Sequence, residues 1–156
     1  MKINQAFRED AGRAVLCWLA TVSADGQPNV TPKELFAIHD DETLLIADIL
    51  STNSVRNIRG NPKVCVSFVD VFAQRGFKVE GMARVVAPDE PDFSQFGAPL
   101  VTLAGEAFPV RHAIVVSIAR ISRIWAPSYS LVPERTDAER QAEAYRSYGV
   151  IPGAGT

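Results

Sequence analysis

Four consecutive polar residues, Ser51-Thr52-Asn53-Ser54, precede the apolar positions Val55 and Ile58 and a terminating Gly60-Asn61-Pro62. That order predicts a helix of about two turns whose start sets hydroxyls and amides beside unpaired backbone N–H groups, an arrangement that favours an anion. Helix capping accounts for any one of the four residues, but four exceed what one cap requires. Arg75 and Lys78, on either side of Gly76-Phe77, are placed to add cations from a neighbouring strand; hairpin Arg and Lys are otherwise simply solvated. From Ser51 to Arg84 six basic residues stand against two acids. This local excess fits either a solvated face or a pocket for a small anion.

Other chemistries find less support. The two histidines, His39 beside Asp40-Asp41-Glu42 and His112 at the start of an apolar run, lie in no serine or cysteine nucleophile motif. The three clustered acids belong to a turn where water satisfies them. Cys17 and Cys65 sit inside apolar runs with no Cys or His at metal-ligand spacing, so they read as packed thiols rather than a disulfide or a zinc site. No GxGxxG or GxxxxGK[ST] turn follows a strand, which leaves a Rossmann site or P-loop without support.

These residues must be positioned by a single domain, because 156 residues with 47% apolar and 22% charged side chains match one ordinary core. Sixteen basic and eighteen acidic side chains balance to −2, which argues against bulk-charge binding of nucleic acid. Without a long apolar run or a hydrophobic leader, the expectation is a cytoplasmic protein with no membrane segment.

Along the chain, a short helix is predicted over Asn4–Ala11, closed by a left-handed Gly12. Ala14–Val22 and Asn29–His39 read as strands joined through Ser23-Ala24-Asp25-Gly26, where Asp-Gly suits a tight turn. Pro32 inside the second strand implies an edge, a bulge or interrupted pairing. A third strand spans Thr43–Ala47. Lys63–Val71 and Gly76–Ala87 are the clearest strands, with Val64, Val66 and Phe68 on one face. Asp92–Ala104 is mixed and helix-like. His112–Trp125 is apolar on both sides, which predicts burial on both faces or a subunit contact. Thr136 with Glu139 forms a capping-box signature for a helix over Thr136–Tyr148, and the Gly-rich Ile151–Thr156 reads as loose. The fold class is mainly β (α+β): a six-stranded antiparallel barrel with short flanking helices, its core about 14–126.

The ordered series Leu19-Ala20-Thr21-Val22, Asp25-Gly26-Gln27-Pro28, Val30-Thr31-Pro32-Lys33, Asn57-Ile58-Arg59-Gly60-Asn61-Pro62-Lys63-Val64 and Gly76-Phe77-Lys78-Val79-Glu80-Gly81 resembles the pyridoxamine 5'-phosphate oxidase-like family of FMN-binding split β-barrels. The resemblance covers Ala14–Val86 well and the rest loosely. It implies a homodimer with FMN at the subunit interface and a flavin-dependent oxidoreductase acting on a small molecule. Thr31, Pro32, Lys33 and Glu34 would then border the isoalloxazine ring, with Ala47, Asp48 and Ile49 alongside. Ser51, Asn53, Ser54 and Asn57 would approach the ribityl phosphate, and Arg75, Gly76, Phe77 and Lys78 would close over the cofactor.

The chain departs from that pattern in two places. Its last residues, Tyr148–Thr156, lack the Arg-containing segment of the true oxidases, which points away from vitamin B6 as substrate. Thr52-Asn53 stand where some relatives have Lys or Arg, shifting the phosphate contact toward hydroxyls, amides and the helix end. Lys33 reads either as a positive charge beside the flavin or as a surface lysine pairing with Glu34 or water. Trp125-Ala126-Pro127-Ser128-Tyr129 reads as a plug or dimer contact ahead of a substrate platform. A flavin-binding electron carrier or sensor, a deazaflavin-dependent reductase, and a cofactor-free interaction module are the competing readings.

Overall fold

The computed structural model describes residues 2–153. Helix α1 (Gln5–Arg13) begins at Asn4, whose side-chain oxygen accepts the Phe7 N–H at 3.0 Å. Gly12 lies inside this helix rather than ending it: the C-cap is Ala14 in extended conformation, and the close at Gly12 expected from sequence does not occur. Strands β1 (Cys17–Val22) and β2 (Pro28–Lys33) form the expected hairpin, with Gly26 at φ +89°, a conformation that suits glycine.

The remaining strands are β3 (Phe36–Ile38), β4 (Thr43–Asp48), β5 (Lys63–Asp70), β6 (Arg75–Val86) and β7 (His112–Trp125), and helix α2 (Thr52–Gly60) joins β4 to β5. All strand pairings are antiparallel, in the order β2-β1-β5-β6-β7-β4-β3. The two ends of that order, β2 and β3, are consecutive in the chain. Crossing from one edge to the other through Glu34-Leu35 curls the sheet into a half-barrel.

There are thus seven strands where six were expected, because the stretch read as one strand over Asn29–His39 divides at this crossing. Pro32 belongs to the edge strand β2, opposite Trp18, where a missing N–H costs no inner ladder bond.

Alternation places Val64, Val66 and Phe68 of β5 inside, with Leu19, Ile46 and Val79. Phe7 from α1 packs on Phe68 and Phe77 with ring centroids 4.9 and 5.0 Å away. Burying one such aromatic stabilises by about 1.5–3 kcal/mol, so α1 anchors the open side of the barrel.

A second cluster joins Leu45, Val86, Leu100, Ala113 and Val115 outside the sheet. The two clusters explain β7. Ala113–Val116 is buried on both faces as its composition predicts, but the strand outlasts β4, whose pairing ends at Thr43↔Ser117. Beyond Ser117 β7 pairs with β6 alone and is half-buried or exposed in a single chain.

Helices α3 (Phe93–Phe96) and α4 (Ala98–Ala104) replace the mixed segment. After the short α5 (Ser128–Leu131), α6 (Asp137–Tyr148) opens with the Thr136–Glu139 capping box and closes at a left-handed Gly149. The tail expectation falls in part on residues 154–156, outside the described residues. Among the described residues, no helix is long and apolar enough to cross a membrane.

Candidate functional site

Lys33 ends β2 at the barrel crossing, opposite Cys17, and only 7% of it is exposed. Its ammonium donates to the Ser51 hydroxyl. Burial pulls its pKa below the ordinary 10.5, and the negative charge of Asp48, with a smaller part from Cys17, opposes that pull. The Cys17 thiol is itself pushed up to about 12 by burial, which keeps it neutral and makes Asp48 the relevant counter-charge. These positions exclude the solvated-surface reading of Lys33.

Asp48, 3% exposed, ends β4 and divides its carboxylate between two donors. Oδ1 accepts the Ser51 backbone N–H and Oδ2 accepts Nδ1–H of His112, each at 2.7 Å. Register places His112 directly opposite Asp48, so the β4–β7 pairing sets this contact. A chain of polar contacts therefore runs Lys33, Ser51, Asp48, His112.

Above Lys33 lies a cleft of about 290 Å³, walled by Pro32, Leu35, Ala47 and Ile49, roofed by the half-exposed Phe108, with Ser51 at its edge. A smaller hollow of about 200 Å³ shares Ser51 and continues over Thr31 and Thr52–Ser54. Together they fall within the size range of small-molecule sites, roughly 300–1,000 Å³.

Ser51 is the N-cap residue of α2 but makes no side-chain cap bond; its hydroxyl accepts from Lys33 instead. The Ser54 hydroxyl lies 3.2 Å from that of Thr31, and Asn53 accepts from Arg56 at 2.8 Å. The polar run thus leaves the helix start without a side-chain cap, and Ser51 to Ser54 line the hollow. Asn57 is buried a turn later and donates to Thr21 Oγ1 at 3.1 Å. An apolar-walled cleft with a cationic floor, leading to an uncapped helix start, suits a flat, partly polar ring system that carries an anionic tail.

The structure thereby brings Thr31, Pro32, Lys33, Glu34, Ala47, Asp48, Ile49, Ser51, Asn53 and Ser54 into one neighbourhood, while Asn57 is turned to Thr21 and lines neither hollow. It does not bring the start of β6 there within one chain. Phe77 lies three strands from Lys33, along Lys33↔Cys17↔Phe68↔Phe77, or roughly 14 Å. Arg75 is held by Asp10 at 3.4 Å and Asp137 at 2.9 Å, and Phe77 packs in the core. Lys78 pairs with Glu80 at 3.4 Å. Gly76 has a packing reason of its own: a Cβ there would lie 2.0 Å from the Phe68 carbonyl oxygen.

Tyr129 supports the plug reading of its segment, since its hydroxyl donates to the Ala73 carbonyl at 2.8 Å and its ring packs against Trp125. Leu35, Phe108 and the Asp48 contact of His112 were not singled out from sequence. Only the β4–β7 register, which is not local in the chain, reveals the last.

Residues 3–125 match the family profile of pyridoxamine 5'-phosphate oxidase. The chain belongs to this family. No curated protein sequence matches it. Several solved structures share the split-barrel fold of this family. An FMN-binding protein from Syntrophomonas wolfei aligns at 16% identity over 74% of this chain and 81% of its own, with a TM-score of 0.61. An F420 reductase aligns at 28% identity over 77% of this chain and 98% of its own, TM-score 0.58. HutZ, the heme storage protein of Vibrio cholerae, aligns at 20% identity over 80% and 95%, TM-score 0.62. As a pyridoxamine 5'-phosphate oxidase family member, the chain belongs to a flavin-binding family whose fold also serves other cofactors.

Proposed function

We propose that this protein holds FMN in the cleft above Lys33 and acts as a flavin-dependent oxidoreductase on a small molecule, as a homodimer with FMN at the subunit interface. The observation that carries this reading is the buried Lys33 ammonium beneath the cleft, bonded to the hydroxyl of Ser51, the N-cap residue of α2. When bound, FMN supplies a two-electron couple that exchanges hydride with an organic partner, which the side chains alone do not provide. Pro32, Leu35, Ala47 and Ile49 would hold the ring and exclude water. Lys33 would set a positive charge beside it, favouring its reduced, more negative form. Thr31, Thr52, Asn53, Ser54 and the α2 N–H groups would take the phosphate. The start of β6 would reach the ring only from a second copy of the chain. FMN and F420 among the cofactors of similar folds support a flavin-type ring here.

The test is to release the chromophore from protein purified under non-denaturing conditions and identify it by chromatography and mass, then follow its reduction by NAD(P)H. Released FMN that NAD(P)H reduces in the protein is the expected result. A deazaflavin or a porphyrin in its place would overturn the assignment.

A further inference from the structure

On the far side of Asp48 from the cleft lies a separate cavity of about 270 Å³, between the outer face of α2, the end of β4 and the start of β7. Thr52, Val55, Arg56 and Arg59 share the helix face that lines it, and Arg111, just before β7, and His112, its first residue, close it. Among the described residues, none of the three arginines forms a salt bridge. Arg56 and Arg59, three apart on one helix face, repel each other, and Arg111 adds a third like charge.

The one acid lining the cavity, Asp48, is bonded to Ser51 and His112 through both oxygens, and its single negative charge, shared with Lys33, stands against three guanidiniums. That commitment also orients the imidazole. With Nδ1–H on the carboxylate, Nε2 is the nitrogen left for a ligand. Arg111 is likewise positioned by structure, its backbone N–H donating to the Asp48 carbonyl at 2.8 Å.

We infer that Arg56, Arg59, Arg111 and His112 form a second, phosphate-binding site for a phosphorylated small molecule, separate from the cleft above Lys33. Three guanidiniums exceed what a single carboxylate neutralises, whereas a phosphate monoester or a diphosphate carries the charge and the acceptor oxygens to engage them together. The site does not depend on which cofactor the cleft holds. It is joined to that cleft by Asp48, which touches His112 on one side and Ser51, the Lys33 partner, on the other.

Calorimetric titration of the purified chain with inorganic pyrophosphate tests this. Saturable binding to the wild type is expected. Arg59→Gln combined with Arg111→Gln should weaken it at least tenfold, with affinity partly retained in the corresponding double Lys variant. Ser54→Ala should leave it within about twofold, and FMN should bind the double Gln variant as it binds the wild type. Absence of saturable pyrophosphate binding, or equal binding by wild type and double Gln variant, would overturn the site. Equal weakening by Ser54→Ala, or loss of FMN affinity in the double Gln variant, would assign these arginines to the cofactor phosphate and overturn a separate site.

Discussion

Lys33 combines a cost with a use. Its ammonium is withdrawn from water, with Ser51 and Asp48 as the compensation the fold supplies. Replacing it by Met keeps the apolar stem and removes the charge, so the flavin midpoint potential should fall in spectroelectrochemical titration while FMN still binds. A loss of about 1.4 kcal/mol corresponds to about 30 mV for a two-electron couple. The cofactor-free protein carries the same charge as a stability effect. Folding lowers the Lys33 pKa from 10.5, so toward that pH the unfolded chain binds a proton that the folded chain does not, and stability rises with pH. Urea unfolding should show the wild type gaining stability relative to Lys33→Met as pH rises toward 10.5; a constant difference would contradict it. The position of Lys33 after Pro32 was legible in the sequence. Its burial was not, because Ser51 and Asp48 reach it only through tertiary pairing.

Where an element rests on local rules, the sequence showed it directly. Asp25-Gly26 turns the first hairpin, the Thr136–Glu139 box starts α6, and alternation in β5 names its buried face. What escaped was decided by neighbours. Helix α1 runs through Gly12, where nothing crowds the backbone, and ends at Arg13. The long second strand breaks at Glu34-Leu35 because the chain there changes sheet edges, and β7 loses its two-sided cover once β4 ends. Gly76, which the family resemblance set near the cofactor, also serves the β5–β6 contact. Gly76→Ala would drive a Cβ into the Phe68 backbone, and such overpacking should destabilise by about 3 kcal/mol in urea or thermal unfolding. A variant as stable as the wild type would show that β5 and β6 separate more readily than their close approach implies.

At the scale of the whole molecule, the half-barrel sets nine candidate residues along the cleft and its adjoining hollow, with Asp48 beside them, and leaves Arg75, Gly76, Phe77 and Lys78 three strands away. A second copy reconciles the two groups. It would also cover Trp18, Met82 and Trp125, which are each about half exposed in one chain, together with the outer half of β7. Light scattering at micromolar concentration should return twice the chain mass with or without FMN; a monomer would remove the interface site. The split-barrel fold and its polar helix start were readable from the order of short segments, whereas the assembly lies in apolar surface that a lone sequence does not assign to a partner. FMN binding is proposed for the cleft above Lys33 together with the α2 start. Fluorescence titration of the cofactor-free protein with FMN measures it most directly. Saturable binding in the micromolar range or tighter is expected, weakened at least about tenfold when Thr31→Ala is combined with Ser54→Ala, through the loss of hydrogen bonds to a charged phosphate. Failure of the wild type to bind FMN, or an affinity indifferent to that double substitution, would contradict it.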